Sequence, residues 1–121
     1  MIFRHFREII AWQKAKELSL MIYRLFGKSR DFGFRDQIQR SSVSVMANIA
    51  EGYGRNSDRE FIRFLEIAKG SLNETQSFLD LAKDLKYINE QQHLQLDSIC
   101  DEITKLIYGL MKKLQIGLTA K

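Results

Sequence analysis

Proline is absent from the chain's 121 residues. No residue therefore both lacks a backbone donor and clashes with the preceding turn, a composition that favours long uninterrupted helices. Cysteine occurs once, at Cys100, which excludes an internal disulfide and makes the cytoplasm the expected location. No apolar run approaches the ~20 residues that span a bilayer, and the first residues lack the apolar stretch of a secretion signal. No membrane partner is expected. The two histidines, His5 and His93, leave little material for metal or proton-transfer chemistry. The remaining balance, 45% hydrophobic and 28% charged, is that of an ordinary globular chain of one domain. Residues 1–9 read as an arm that packs across something, and residues 118–121 as a loose tail.

The chain does carry helical periodicity. Ala11, Ala15, Leu18, Ile22 and Leu25 step by four and three, which predicts helix 1 over Ile10–Phe26, stopped by Gly27. Trp12 sits beside that stripe as a core plug. Residues 28–34 form a loop, and helix 2 starts near Phe34–Asp36 and ends at Gly52–Gly54. Ser57 and Glu60 have the spacing of a capping box, opening helix 3 from Asp58 to about Leu85. Its rows Phe61, Ala68, Thr75, Ala82 and Phe64, Ser71, Phe78, Leu85 and Leu65, Leu72, Leu79 each repeat every seven residues. Gly70 costs helix propensity, so a close contact is expected there. Asn89 with Gln92 is a second capping box, opening helix 4 from Glu90 to about Gln115. Leu96, Ile99, Ile103, Leu106 and Leu110 mark its inner face, and Lys112 and Lys113 suit its last turn. Together these elements predict an all-α, antiparallel up-down-up-down four-helix bundle.

Helix 2 does not fit a solitary bundle. Val43–Ala50 holds no charge, and its apolar residues fall all round the helix. Such a helix is buried nearly all round, which predicts a homo-oligomer. Asn48, Glu51, Gly52 and Gly54 then interrupt the apolar run. Glu51 is costly to bury unless paired, so a partner arginine, backbone group or Asn48 is expected. Trp12, Asn48, Glu51, Gly52 and Ser71 are the expected structural or interface residues.

Catalytic patterns are weak. Glu90-Gln-Gln-His93 has the Glu-x-x-His spacing of carboxylate-bridged di-metal bundles, but it occurs once and at a helix start. Cys100 lies two helical turns from His93, roughly 10 Å away, and reads as a core thiol. The histidines have no persuasive Ser-His-Asp partners. Gly52-Tyr53-Gly54 lacks the lysine of a phosphate-binding loop and follows a helix, so it reads as a helix–helix turn. No catalytic residue, metal or cofactor is expected. Residues 1–63 carry 12 Lys and Arg against 7 Asp and Glu, a surplus of 5, so the basic excess lies in the first half. Arg35, Arg40, Arg55, Arg59 and Arg63 are the candidate phosphate-contacting residues, because arginine makes bidentate phosphate contacts. The bland reading of the same arginines is a solvated, partly paired face, for example Arg63 with Glu66.

Several segments together resemble a known family. They are Trp12-Gln13-Lys14-Ala15, Gln37-Ile38-Gln39-Arg40 before Val43-Ser44-Val45, Asn48-Ile49-Ala50-Glu51-Gly52, Phe64 through Glu74, and Tyr87-Ile88. The chain is similar over nearly its whole length to the four-helix-bundle proteins encoded in 23S ribosomal RNA intervening sequences. That resemblance implies a small bacterial cytoplasmic bundle, a homopentamer, and no established enzymatic activity. A similar protein, the accessory variability determinant of diversity-generating retroelements, is a basic pentamer that binds nucleic acid and a reverse transcriptase. The family name records where the genes sit. The family usually has proline where Met46 stands, glycine where Lys86 stands and a threonine cap where Arg35 stands, so helix 2 here is expected to lack a kink and the stop of helix 3 to differ. The expected function is non-enzymatic binding of RNA or DNA backbone by a homo-oligomer. The alternative is an adaptor that recruits a protein, with the basic patch incidental.

Overall fold

The structure, a computed structural model, describes the backbone of residues 3–120 and the side chains of residues 3–118. A short 3-10 helix, Phe6–Glu8, precedes four α-helices: α1 Ile10–Phe26, α2 Phe32–Gly54, α3 Asp58–Asp84 and α4 Glu90–Ala120. The described residues contain no strand, and no helix among them is long and apolar enough to cross a membrane. Met1, Ile2 and Lys121, which belong to the expected arm and tail, lie outside the described residues.

The described residues of the N-terminal segment pack against the bundle. Ile9 is buried, Phe6 meets Trp12 edge-on at 5.0 Å, and the Tyr53 hydroxyl donates to the carbonyl of Phe3 at 2.8 Å. Trp12 is itself buried, which fits a core plug.

Helix ends depart from expectation where local capping decides them. Helix α2 begins at Phe32, earlier than Phe34–Asp36, because the Asp31 carboxylate accepts from the Phe34 N–H at 3.2 Å. Arg35, where the family carries a cap, is therefore already inside the helix. Helix α3 ends at Asp84 in a Schellman motif. The Tyr87 N–H donates to the Ala82 carbonyl and the Lys86 N–H to the Lys83 carbonyl. Lys86 occupies the left-handed position of that motif with φ of 63°. The stop expected to differ is thus retained with a residue poorly suited to it. Helix α4 continues past Gln115 to Ala120, so Lys112 and Lys113 are not in its last turn and the described part of the tail is helical. Asn89 and Gln92 form the full reciprocal box, at 2.9 and 2.8 Å.

Burial follows two of the three heptad rows of α3: Phe61, Ala68, Thr75, Ala82, Leu65, Leu72 and Leu79 are all buried. In the third row only Phe64 is buried; Ser71 and Phe78 are half-buried and Leu85 is exposed, so the expected inward face is narrower than three rows. In α4 the inner face is rotated from the expected stripe. Leu96, Cys100, Ile103, Ile107, Met111 and Leu114 are buried, whereas Ile99, Leu106 and Leu110 are half-buried on its flank. Cys100 is a core thiol, and burial pushes its pKa up to about 12. Its thiolate form is therefore scarce at neutral pH.

Helices α2 and α3 share the largest interface, and polar side chains set its register. Ser41 meets Thr75 at 2.9 Å, Ser44 meets Ser71 at 2.9 Å, and Arg40 meets Glu74 at 2.7 Å. Position along α2 rises as position along α3 falls. Asn48 joins this ladder by donating to the Ser44 carbonyl at 2.8 Å and to its hydroxyl at 3.0 Å. At the closed end Gly52 lies against Phe61 and Phe64. The close approach expected at Gly70 is not there: a Cβ on Gly70 would meet nothing within 4 Å. The tight contact belongs to Gly52 instead. Neither Gly52 nor Gly54 makes the turn into α3. Both lie in α2, and the left-handed turn residue is Asn56, with φ of 57°.

Candidate nucleic-acid interface

The corner where α2 ends and α3 begins gathers three of the five candidate arginines. Ser57 caps α3 by accepting from the Glu60 N–H at 3.3 Å. The Glu60 carboxylate accepts from Arg63, at 3.0 Å from Nε and 3.1 Å from a terminal nitrogen. Arg63 therefore pairs with Glu60 and not with Glu66, and it holds the Glu60 carboxyl below its ordinary range while its own pKa rises for the same reason. One turn before the corner, Arg55 pairs with Glu51 at 2.9 Å. Glu51 thus has the arginine partner its sequence context calls for, but it is exposed, with 54% of its side chain accessible. No burial penalty applies within the single chain.

Phe64 organises the cluster. The guanidinium of Arg55 lies 5.0 Å from the centre of its ring and that of Arg63 lies 4.6 Å from it, both within cation–π range. Arg59 is exposed beside a polar hollow of about 620 Å³ whose lining includes Tyr53, Asn56, Ser57, Phe61 and one carboxylate, Asp58. Among the described residues, Arg59 has no ion-pair partner. The role of Phe64 was missed in the sequence, where it counted only as a core position. The adjacent Arg63-Phe64 pair was the available signal.

Arg35 and Arg40 do not join this corner. Arg40 is engaged with Glu74 midway along α2, and Arg35 pairs with Asp36 and lies over the Phe32 ring at 4.9 Å. Twenty residues of helix separate Arg35 from Arg55, roughly 30 Å at 1.5 Å per residue. The basic surplus of the first half is therefore spread along the bundle. Asn48 and Ser71 lie half-buried in the α2–α3 ladder, Gly52 is buried beneath the arginine corner, and Trp12 stays with the arm.

Fold and surface together define an all-α four-helix bundle with an arginine–aromatic cluster at one corner. The family model of the 23S rRNA-intervening sequence protein matches residues 7–109, and the chain belongs to that family. Among solved structures, it is similar to a protein of unknown function from the S23 ribosomal protein family of Bacteroides thetaiotaomicron. The identity is 31% over 84% of this chain and 98% of that one, with a TM-score of 0.78. No curated protein matches the chain.

Proposed function

We propose that the chain is a non-enzymatic, homo-oligomeric helical bundle that binds the backbone of RNA or DNA through Arg55, Arg59 and Arg63. The observation that carries this is the stacking of Arg55 and Arg63 over Phe64 at the α2–α3 corner, with exposed Arg59 one helical turn before Arg63. Their present partners are easily exchanged. Glu51 and Glu60 are exposed surface carboxylates, and exposed ion pairs contribute only about 0–1 kcal/mol. A phosphate can take their place at small cost, and among the described residues Arg59 has no ion pair to give up. Within each subunit the opposed register of α2 and α3 supports the antiparallel up-down-up-down arrangement. Assembly is supported by an uncharged strip on α2: Val43 and Ala47 are exposed, and Met46 and Ala50 are half-buried. The family resemblance supports a pentamer, and repetition around a ring would raise the avidity of a weak corner.

The adaptor reading keeps one specific support. Arg35 and Arg40 are paired and remote, so the face along the length of α2 is not a continuous basic track. Fluorescence anisotropy with labelled single- and double-stranded RNA and DNA separates the two. Binding by the wild type should fall by roughly a hundredfold or more between about 50 and 200 mM salt. Replacing Arg55, Arg59 and Arg63 together by glutamine should weaken it for every sequence alike. No binding at low salt, or superimposable isotherms for the two proteins, rejects the nucleic-acid reading.

A further inference from the structure

At the opposite end of the bundle, the helical hairpin α3–α4 brings three metal-ligating side chains together. Asp80 lies near the end of α3, and His93 and Asp97 lie one turn apart on α4, so the last two share a face. One ligand atom from each lies within 4.8 Å of the others. His93 Nε2 stands 2.7 Å from Asp80 Oδ1, and the His93 side chain is only 15% exposed. The Gln76 amide donates to Asp97 and to Asp101, each at 3.0 Å. Among the described residues, no lysine or arginine pairs with Asp80, Asp97 or Asp101. Asp80 and Asp97 thus stand beside one imidazole, and the neutral Gln76 amide bridges Asp97 to Asp101.

We propose that Asp80, His93 and Asp97 bind a divalent transition-metal ion, with Zn2+ as the reference case. The donor set is one imidazole nitrogen and two carboxylate oxygens, which suits zinc and its neighbours better than magnesium or calcium, whose sites are built from oxygen alone. Metal–ligand distances near 2.0–2.2 Å in a tetrahedral site put neighbouring donors about 3.4 Å apart. The 2.7 Å between His93 and Asp80 lies below that spacing and the 4.8 Å span of the three ligand atoms lies above it. The His93–Asp80 contact opens slightly and Asp97 closes in, both within the reach of side-chain rotation. The hydrogen bond from Gln76 orients Asp97 from outside, as outer partners of metal ligands do. The fourth position is left for water. Glu90, which the Glu-x-x-His spacing singled out, is not a member, because the ligand on α4 is one turn after His93 and the third comes across from α3. The ion would staple α3 to α4 over the 85–89 connection.

The test uses the full-length protein, freed of metal by chelation, with Zn2+ alone as the probe. Titration calorimetry should show one ion per chain. At about a hundred times its dissociation constant, Zn2+ should raise the melting midpoint by about 5–10 °C, and Mg2+ should not. His93→Gln and Asp97→Asn should each weaken binding by roughly tenfold or more, with His5→Gln unchanged. Absence of binding heat, an unmoved midpoint, or an isotherm unaltered in His93→Gln overturns the proposal. If circular dichroism shows His93→Gln to be misfolded, Asp97→Asn decides: wild-type affinity in that variant overturns the site equally.

Discussion

A Cβ placed on Gly52 would lie 2.6 Å from the Cβ of Phe64 and 3.1 Å from Cδ1 of Phe61. Helices α2 and α3 meet there with no room for a side chain, directly beneath the ring over which Arg55 and Arg63 stand. Alanine would gain about 1 kcal/mol of helix propensity over glycine, whereas overpacking costs about 1–3 kcal/mol. The clash is with a Cβ atom that moves only with its backbone, so overpacking should win. Gly52→Ala is expected to lower the denaturation midpoint and, by displacing Phe64, to weaken nucleic-acid binding as well. An equal or higher midpoint in urea would show that the helices separate freely at this point.

Lys86 offers the opposite sign. It holds φ of 63° to complete the Schellman stop of α3, and a residue with a Cβ pays about 1–2 kcal/mol for that conformation. Glycine does not, although it loses more backbone freedom on folding. Lys86→Gly should stabilise the fold by roughly 1 kcal/mol, measured by chemical denaturation. Loss of stability would mean that the lysine side chain contributes more than its backbone strain costs.

Asp31 joins two connections that are distant in sequence. It caps α2 through the Phe34 N–H and accepts from the Tyr87 hydroxyl at 2.7 Å. Those bonds, Tyr87 first, hold its carboxyl below its ordinary value of 3.8, and the Tyr87 phenol is raised by the same contact. A carboxyl depressed in the folded state stabilises the fold above its unfolded value, and that contribution is lost as pH falls through the lower folded value. Stability should therefore drop as pH is lowered below about 4, with a shallower acid limb in Tyr87→Phe. Midpoints measured from pH 7 down to pH 2.5, which coincide for wild type and Tyr87→Phe over the acid limb, would remove Asp31 from the account.

The helices were legible because their signals are local or periodic. Two of the three rows of α3 and the reciprocal box of Asn89 and Gln92 appear where the spacing puts them, whereas the row of Phe64 runs out to exposed Leu85. The failures share one cause, which is that the deciding partner lies on another element. Gly70 and Gly52 look alike as helix glycines, but only Gly52 faces Phe64. The inner face of α4 runs through Cys100, Ile107 and Met111, a rotation that the three-four spacing of leucines and isoleucines alone does not distinguish. The start of α2 was misplaced because the cap is Asp31, inside what reads as a loop. At the candidate site the arginines could be named, but their grouping could not: Arg40 is claimed by Glu74 across the interface, whereas Arg55 and Arg63 share Phe64.

Ala47 gives the sharpest test of assembly. It stands on the exposed side of α2, one turn from Val43, which is 36% exposed, and between half-buried Met46 and Ala50. The flanking charges on this surface, Arg40 and Glu51, are already paired with Glu74 and Arg55. In a solitary subunit Ala47→Glu adds a solvated charge at a surface position, where substitutions usually change stability by no more than about 0.5 kcal/mol. In an assembly that covers this strip, the same carboxylate is desolvated without a partner, at a cost of several kcal/mol per subunit. Light scattering behind size exclusion should then give a mass well above the 14.2 kDa of one chain for the wild type, and a folded particle close to that mass for Ala47→Glu. Ala47→Ser, nearly the same size and uncharged, should stay assembled. A wild type that elutes as one chain at micromolar concentration would end the oligomer proposal, and an Ala47→Glu variant of full assembled mass would move the interface off this strip.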